Sequence, residues 1–93
     1  MTTVIFHPQA QKELADAATY YEKQQPGLGQ EYLKAVENAV NLLIQYPEAG
    51  LVLQDSIRRL LLPKFSYYLV YRLSQDNHLR ILAIAHHKRK PKY

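Results

Sequence analysis

The stretch YYEKQQPGLGQEYLKAV, residues 20–36, decides how this chain folds. Pro26 has no backbone N–H and its ring collides with the preceding turn, so no helix runs through it. Gly27 and Gly29 open backbone conformations closed to other residues. The segment QQPGLGQ (24–30) is therefore a break, and the sequence on both sides of it is helical. Upstream, in PQAQKELADAATYYEKQQ, Ala10, Leu14, Ala17, Ala18 and Tyr21 recur at helical spacing, while Lys12, Glu13, Asp16 and Glu22 fall elsewhere. Pro8 suits the first helical turn, where its missing N–H costs nothing, so a helix is predicted over 8–24. Downstream, QEYLKAVENAVNLLIQY puts Leu33, Val36, Val40, Leu43 and Ile44 on one stripe and is ended by Pro47. Two helices joined by so short a turn form an antiparallel hairpin.

Strands flank this hairpin. TVIF (3–6) is a short β-branched and aromatic run, a first strand. PEAGLVLQD (47–55) reads as a loop. Three strands are then predicted, SIRRLLL (56–62), FSYYLVYRL (65–73) and HLRILAIAHH (78–87), linked by Pro63-Lys64 and by SQDN, where Asp76-Asn77 is good turn chemistry. Consecutive strands so linked make an antiparallel meander. The order is β-α-α-β-β-β: an α+β fold in which the helical hairpin packs on a small antiparallel sheet, with 1–93 as one domain. In FSYYLVYRL one face holds Phe65, Tyr67, Leu69, Tyr71 and Leu73, the other Ser66, Tyr68, Val70 and Arg72. In the last strand Leu79, Ile81, Ala83, Ala85 and His87 oppose Arg80, Leu82, Ile84 and His86. Both faces are partly apolar, so the pattern leaves open which one meets the helices.

Composition narrows the function classes. Of 93 residues 47% are hydrophobic, with eight tyrosines against two phenylalanines, which is globular rather than disordered composition. There is no cysteine, so disulfides and thiolate chemistry are excluded. The longest apolar runs, YYLVY (67–71) and ILAIA (81–85), fall far short of the ~20 residues a membrane helix needs. The start MTTVIFHPQ lacks the pattern of a signal peptide, and a cytoplasmic location is expected. Charge is divided along the chain: residues 1–50 carry three lysines against six carboxylates, residues 51–93 nine cations against Asp55 and Asp76. Such a basic half attracts phosphate backbones or an acidic protein partner, unless it is simply a solvated surface.

The basic half ends in AIAHHKRKPKY (83–93), an apolar strand opening into a titratable, cationic tip. Adjacent histidines on a strand point to opposite faces and do not chelate one ion, and no zinc-ligand spacing occurs. Neither a metal nor a cofactor is expected. His7 and His78 stand at a helix start and a turn, positions for capping or solvation. No phosphate loop and no Ser/His/Asp set is present; GLG (27–29) is turn chemistry. What remains is Arg58, Arg59, Lys64, Arg72, Arg80, His86, His87, Lys88, Arg89, Lys90, Lys92 and Tyr93. Arginine forks bind phosphate bidentately, and a histidine can pass a proton during RNA cleavage.

YYEKQQPGLGQEYLKAVENAVNLLIQYPEAG, then IRRLLLPKFSYYLVYRL, then RILAIAHHKRKPKY together resemble the RelE/ParE superfamily of bacterial toxins, closest to ParE-like plasmid-stabilisation toxins. The likeness runs from about residue 4 to 93 and rests on the order of the PGLG turn, the IRR and FSYYLVYR strands and the AHHKRKP ending. It implies the fold read above and the toxin half of a type II toxin–antitoxin pair, in an oligomeric complex with a cognate antitoxin whose C-terminal segment covers apolar grooves and basic surface. ParE-like members inhibit DNA gyrase; RelE-like members cut mRNA in the ribosome. Target or antitoxin binding is expected of the basic half's Arg58, Arg59, Lys64, Arg72, His86, His87, Lys88, Arg89 and Lys90. For RNA cleavage the resemblance would draw on Arg59, His87, Arg89 and Tyr93. Ser66 stands where the ParE branch often has proline. A non-toxic basic interaction module is the third reading.

Overall fold

The helical hairpin forms as predicted, and its turn explains both glycines. In the computed structural model, which describes residues 2–86, α1 spans Pro8–Gln24 and α2 spans Leu28–Gln45. His7 caps α1, its Nδ1 accepting from the Gln9 N–H at 3.1 Å, so its expected capping role is the observed one. Gly27 takes a left-handed φ of 90° at the start of α2 and has no side chain to cap it. Glu22 of α1 does so instead. Its carboxylate accepts from the N–H groups of Gly27 (3.0 Å) and Gly29 (3.1 Å), placing negative charge at the positive end of α2. Gly29 is buried against α1: a Cβ there would stand 2.6 Å from the Ala18 carbonyl oxygen.

The hairpin lies on a sheet of five strands, β1 (Thr3–Phe6), β2 (Leu51–Gln54), β3 (Ile57–Leu61), β4 (Tyr67–Leu73) and β5 (His78–His86), in the spatial order β1-β5-β4-β3-β2. The predicted fold class holds with two corrections. Residues 51–54, expected within a loop, are a strand paired antiparallel with β3. Three consecutive apolar residues gave no alternation there, but Asp55, at φ 52°, supplies the left-handed turn that closes the hairpin. Secondly, the sheet is mixed, because β1 pairs parallel with β5, from Thr3↔His78 to Phe6↔Ile81. β1 cannot follow β5 further, since Pro8 starts α1. Glu13 of α1 takes over part of that edge, its Oε1 accepting from the Ile84 N–H at 2.9 Å.

A bulge settles the face question. β4 alternates regularly, with Tyr67, Leu69 and Tyr71 in or against the helix-side core and Tyr68 and Val70 on the other side. In β5 the partner of Tyr71 is Ile81 but that of Val70 is Ala83, so Leu82 is an extra residue. The phase shifts there. Leu79, Ile81 and Ile84 all enter the helix-side core, whereas Ala83 packs with Tyr68 and Val70. The strict period-2 reading of this strand is therefore corrected beyond residue 82. The core also holds Ala10, Ala17, Tyr32, Val36, Ala39, Leu43 and Leu62. On α2 the buried stripe includes Tyr32, Val36, Ala39 and Leu43; Leu33 and Ile44, expected inside, are exposed.

Candidate functional site

The face of the sheet that carries no helix is built from alternate residues of β2 to β5. Cross-strand register sets Leu61 beside Tyr68 and Ala85, and Leu51 beside Arg59, Val70 and Ala83. Arg72 and Arg80 pair at the end near the β4–β5 turn. Tyr68 and Val70 are buried although no helix lies over them. One cover is Arg59, whose guanidinium carbon sits 5.5 Å from the centroid of the Tyr68 ring, a cation–π contact that holds the charge on the face. Arg59, Tyr68, Leu51 and Leu61 line a shallow pocket of about 420 Å³. Leu51 and Leu61 are 67% and 60% exposed, so the rim of this arginine is apolar and open.

The predicted site residues that lie among the described ones do not converge. Arg59 and Arg72 lie on the helix-free face. Arg58, cross-strand from Tyr71, is directed to the 47–50 loop, where its Nη1 donates to the Gly50 carbonyl at 2.9 Å. Tyr71 holds the same loop, donating to the Pro47 carbonyl (2.8 Å) and accepting from the Gly50 N–H (2.9 Å). Arg58 thus braces the fold. Lys64 is exposed in the β3–β4 connection with φ 71°. His86 ends β5 with its ring edge-on to Tyr67, centroids 5.0 Å apart, next to an aromatic cluster of Tyr21, Tyr32, Phe65 and Tyr67. His87, Lys88, Arg89, Lys90 and Tyr93 lie outside the described residues.

A second surface is apolar, of the kind the resemblance implies, but the sequence reading named no residues for it. Beside α2, Leu28, Ala35, Ala39, Leu42, Pro63 and Phe65 line an open, mainly apolar groove of about 520 Å³, with Glu31, Lys34 and Lys64 on its walls. Leu28, Ala35 and Leu42 recur every seven residues, a second stripe hidden by the stronger one that feeds the core. Together with exposed Tyr20, Leu33 and Ile44, they leave the hairpin with an apolar exterior.

Electrostatics around the strands are local. Asp76 is held below the usual carboxylate range by a hydrogen bond from the Ser74 hydroxyl, assisted by His78 and Arg80. His78, expected to cap or to be solvated at this turn, instead sets its Nδ1 3.0 Å from Asp76 Oδ2. Among the described residues no group of three or more His, Asp or Glu is placed to hold a metal ion. No described helix is long and apolar enough to cross a membrane.

Comparison with known proteins supplies the family. The profile described as "ParE toxin of type II toxin-antitoxin system, parDE" matches residues 4–91, and the chain belongs to that family. No curated protein matches its sequence. Among solved structures it is similar to a chain of the chromosomal ParDE system from P. aeruginosa, with TM-score 0.78 and 18% identity over 92% of this chain and 96% of that one. It is also similar to the isolated E. coli RelE toxin (TM-score 0.65, 16% identity, 95% and 86% covered). A chain of the intact E. coli RelBE toxin–antitoxin complex gives TM-score 0.65 at 14% identity, with 94% and 98% covered. At such identities these structures speak for the fold alone.

Proposed function

We propose that this member of the ParE toxin family inhibits DNA gyrase in the cytoplasm and is held inactive by a cognate antitoxin, which covers the α2 groove and the basic sheet face. The observation favouring gyrase over the ribosome is the make-up of the helix-free face. Its row nearest residue 86 is Leu61, Tyr68 and Ala85, and Arg59 is laid over the Tyr68 ring. Cleaving RNA requires proton donors and acceptors within reach of one substrate atom. Among the described residues this face brings no such set around Arg59, and His86 faces Tyr67 on the opposite side. Arginine and tyrosine amid exposed leucines are instead what protein interfaces favour at their centres. The RelE-type alternative draws on Arg59 together with His87, Arg89 and Tyr93.

A supercoiling assay with purified gyrase tests the reading. The chain is expected to block supercoiling, added antitoxin to restore it, and Arg59→Glu to weaken the block at least tenfold. Unimpaired supercoiling, together with an abrupt stop of amino-acid incorporation within minutes of induction, would overturn it in favour of mRNA cleavage. In that case His87→Ala or Tyr93→Phe should abolish toxicity.

A further inference from the structure

We propose that Arg72 and Arg80 form a binding site for a phosphate group, at the β4–β5 turn end of the helix-free face. The two are direct cross-strand partners, so their Cβ atoms stand about 5 Å apart. Both side chains project away from the helices, because their strand neighbours Tyr71, Leu79 and Ile81 are turned into the core. Like charges set opposite each other destabilise a sheet, and here only one carboxylate offsets them. Among the described residues the Arg72 side chain has no ion pair or hydrogen bond. Arg80 is approached only by Asp76, at 3.9 Å, and that carboxylate already accepts from Ser74 and faces His78. Two cations are thus met by one carboxylate engaged elsewhere.

The arginines line one open pocket of about 530 Å³ with Ser56, Ser74, Gln75 and Asp76. Two guanidinium forks offer more paired donors than the two oxygens of a single carboxylate accept. A phosphate group, with three terminal oxygens and a charge near −2, matches both forks and adds an acceptor for the Ser56 hydroxyl. The site rests on the register of β4 and β5 and is independent of the gyrase reading. Its phosphate comes from free phosphate or from a phosphate monoester such as a nucleotide; a nucleic-acid backbone diester, with two free oxygens and one charge, is matched no better than a carboxylate.

Thermal unfolding of the full chain at constant ionic strength tests this, with chloride replaced by up to ~20 mM inorganic phosphate, then by AMP, then by an eight-residue oligothymidylate. Without phosphate, Arg72→Gln should melt about 2 °C higher than the parent, since the repulsion is gone. Phosphate should raise the parent by about 5 °C, saturably, and leave Arg72→Gln and Arg80→Gln unmoved. Asp76→Asn should reach the same rise at lower phosphate. Phosphorus NMR gives a second readout, with the phosphate line broadened by the parent and not by Arg72→Gln. A response confined to AMP, and lost in both arginine variants, supports the site and identifies the carrier, whereas a response to the oligonucleotide alone overturns the match to a doubly charged phosphate. No rise in the parent with any of the three, or an equal rise in Arg72→Gln, overturns the proposal. The unfolding transition itself reports that each variant is folded.

Discussion

Two tyrosines with the same burial make opposite use of their hydroxyls. Tyr32 and Tyr71 are both fully buried, but the Tyr32 hydroxyl has no hydrogen-bond partner among the described residues, while that of Tyr71 ties down Pro47 and Gly50. A buried hydroxyl without a partner costs stability, and removing one that serves two backbone groups strands them. Tyr32→Phe should therefore stabilise by about 1 kcal/mol and Tyr71→Phe destabilise by about 2 kcal/mol. Urea midpoints shifting in the same direction for both would refute the assignment. pH adds an independent check. Burial, then Tyr67 and Tyr21, push the Tyr32 ionisation far above the ordinary tyrosine value; burial also raises Tyr21 and Tyr71. The folded chain then keeps protons that the unfolded chain releases, so this stabilisation is complete below about pH 10 and is lost as pH climbs beyond it. Tyr32→Phe should flatten the alkaline fall in melting temperature.

The hairpin turn and the last strand show what an element's sequence reveals and what it conceals. The break at PGLG was legible because proline and glycine act through the backbone, and the backbone travels with the sequence. The residue that completes the turn was not. Glu22 sits on the polar side of α1 like any solvated carboxylate, and only the folding back of α2 brings two N–H groups onto it. Glu22→Ala should cost about 1 kcal/mol and expose the first amides of α2 to hydrogen exchange. Gly29→Ala should cost about 2 kcal/mol, because its Cβ would meet the Ala18 carbonyl, which cannot swing away, as well as the Glu22 side chain. If the alanine variant at 29 melts with the parent, the close approach of the helices is not what that glycine serves. β5 hid its faces for a different reason. The bulge at Leu82 is imposed by pairing with β4, so no periodicity within the strand alone announces it. β2 was missed likewise, since an edge strand with all four residues exposed has no buried face to pattern.

At the scale of the molecule the sheet separates two surfaces, and the candidate site was only half legible because each surface needs residues distant in sequence. The basic half of the chain announced Arg59 and Arg72 as candidates but not the sheet face that carries them; the α2 groove required Pro63 and Phe65 to lie beside a helix that ends at residue 45. Under the proposed function the antitoxin uses both surfaces and gyrase only the basic one, so damage to the groove should uncouple them. Leu42 lines the groove, is 41% exposed and is absent from the core cluster, so a carboxylate there should be tolerated by the fold. Leu42→Asp places that charge where an apolar partner must pack, and antitoxin affinity should fall about thirtyfold, the size of an interface hot spot. Inhibition of supercoiling by the toxin alone should not change. Cells expressing both proteins should then stop dividing at antitoxin levels that protect against the parent toxin. Arg59→Glu is the counterpart: it should weaken gyrase inhibition and antitoxin binding together. A folded Leu42→Asp variant that loses gyrase inhibition while keeping its antitoxin would make the groove the target surface and leave the basic face to the antitoxin.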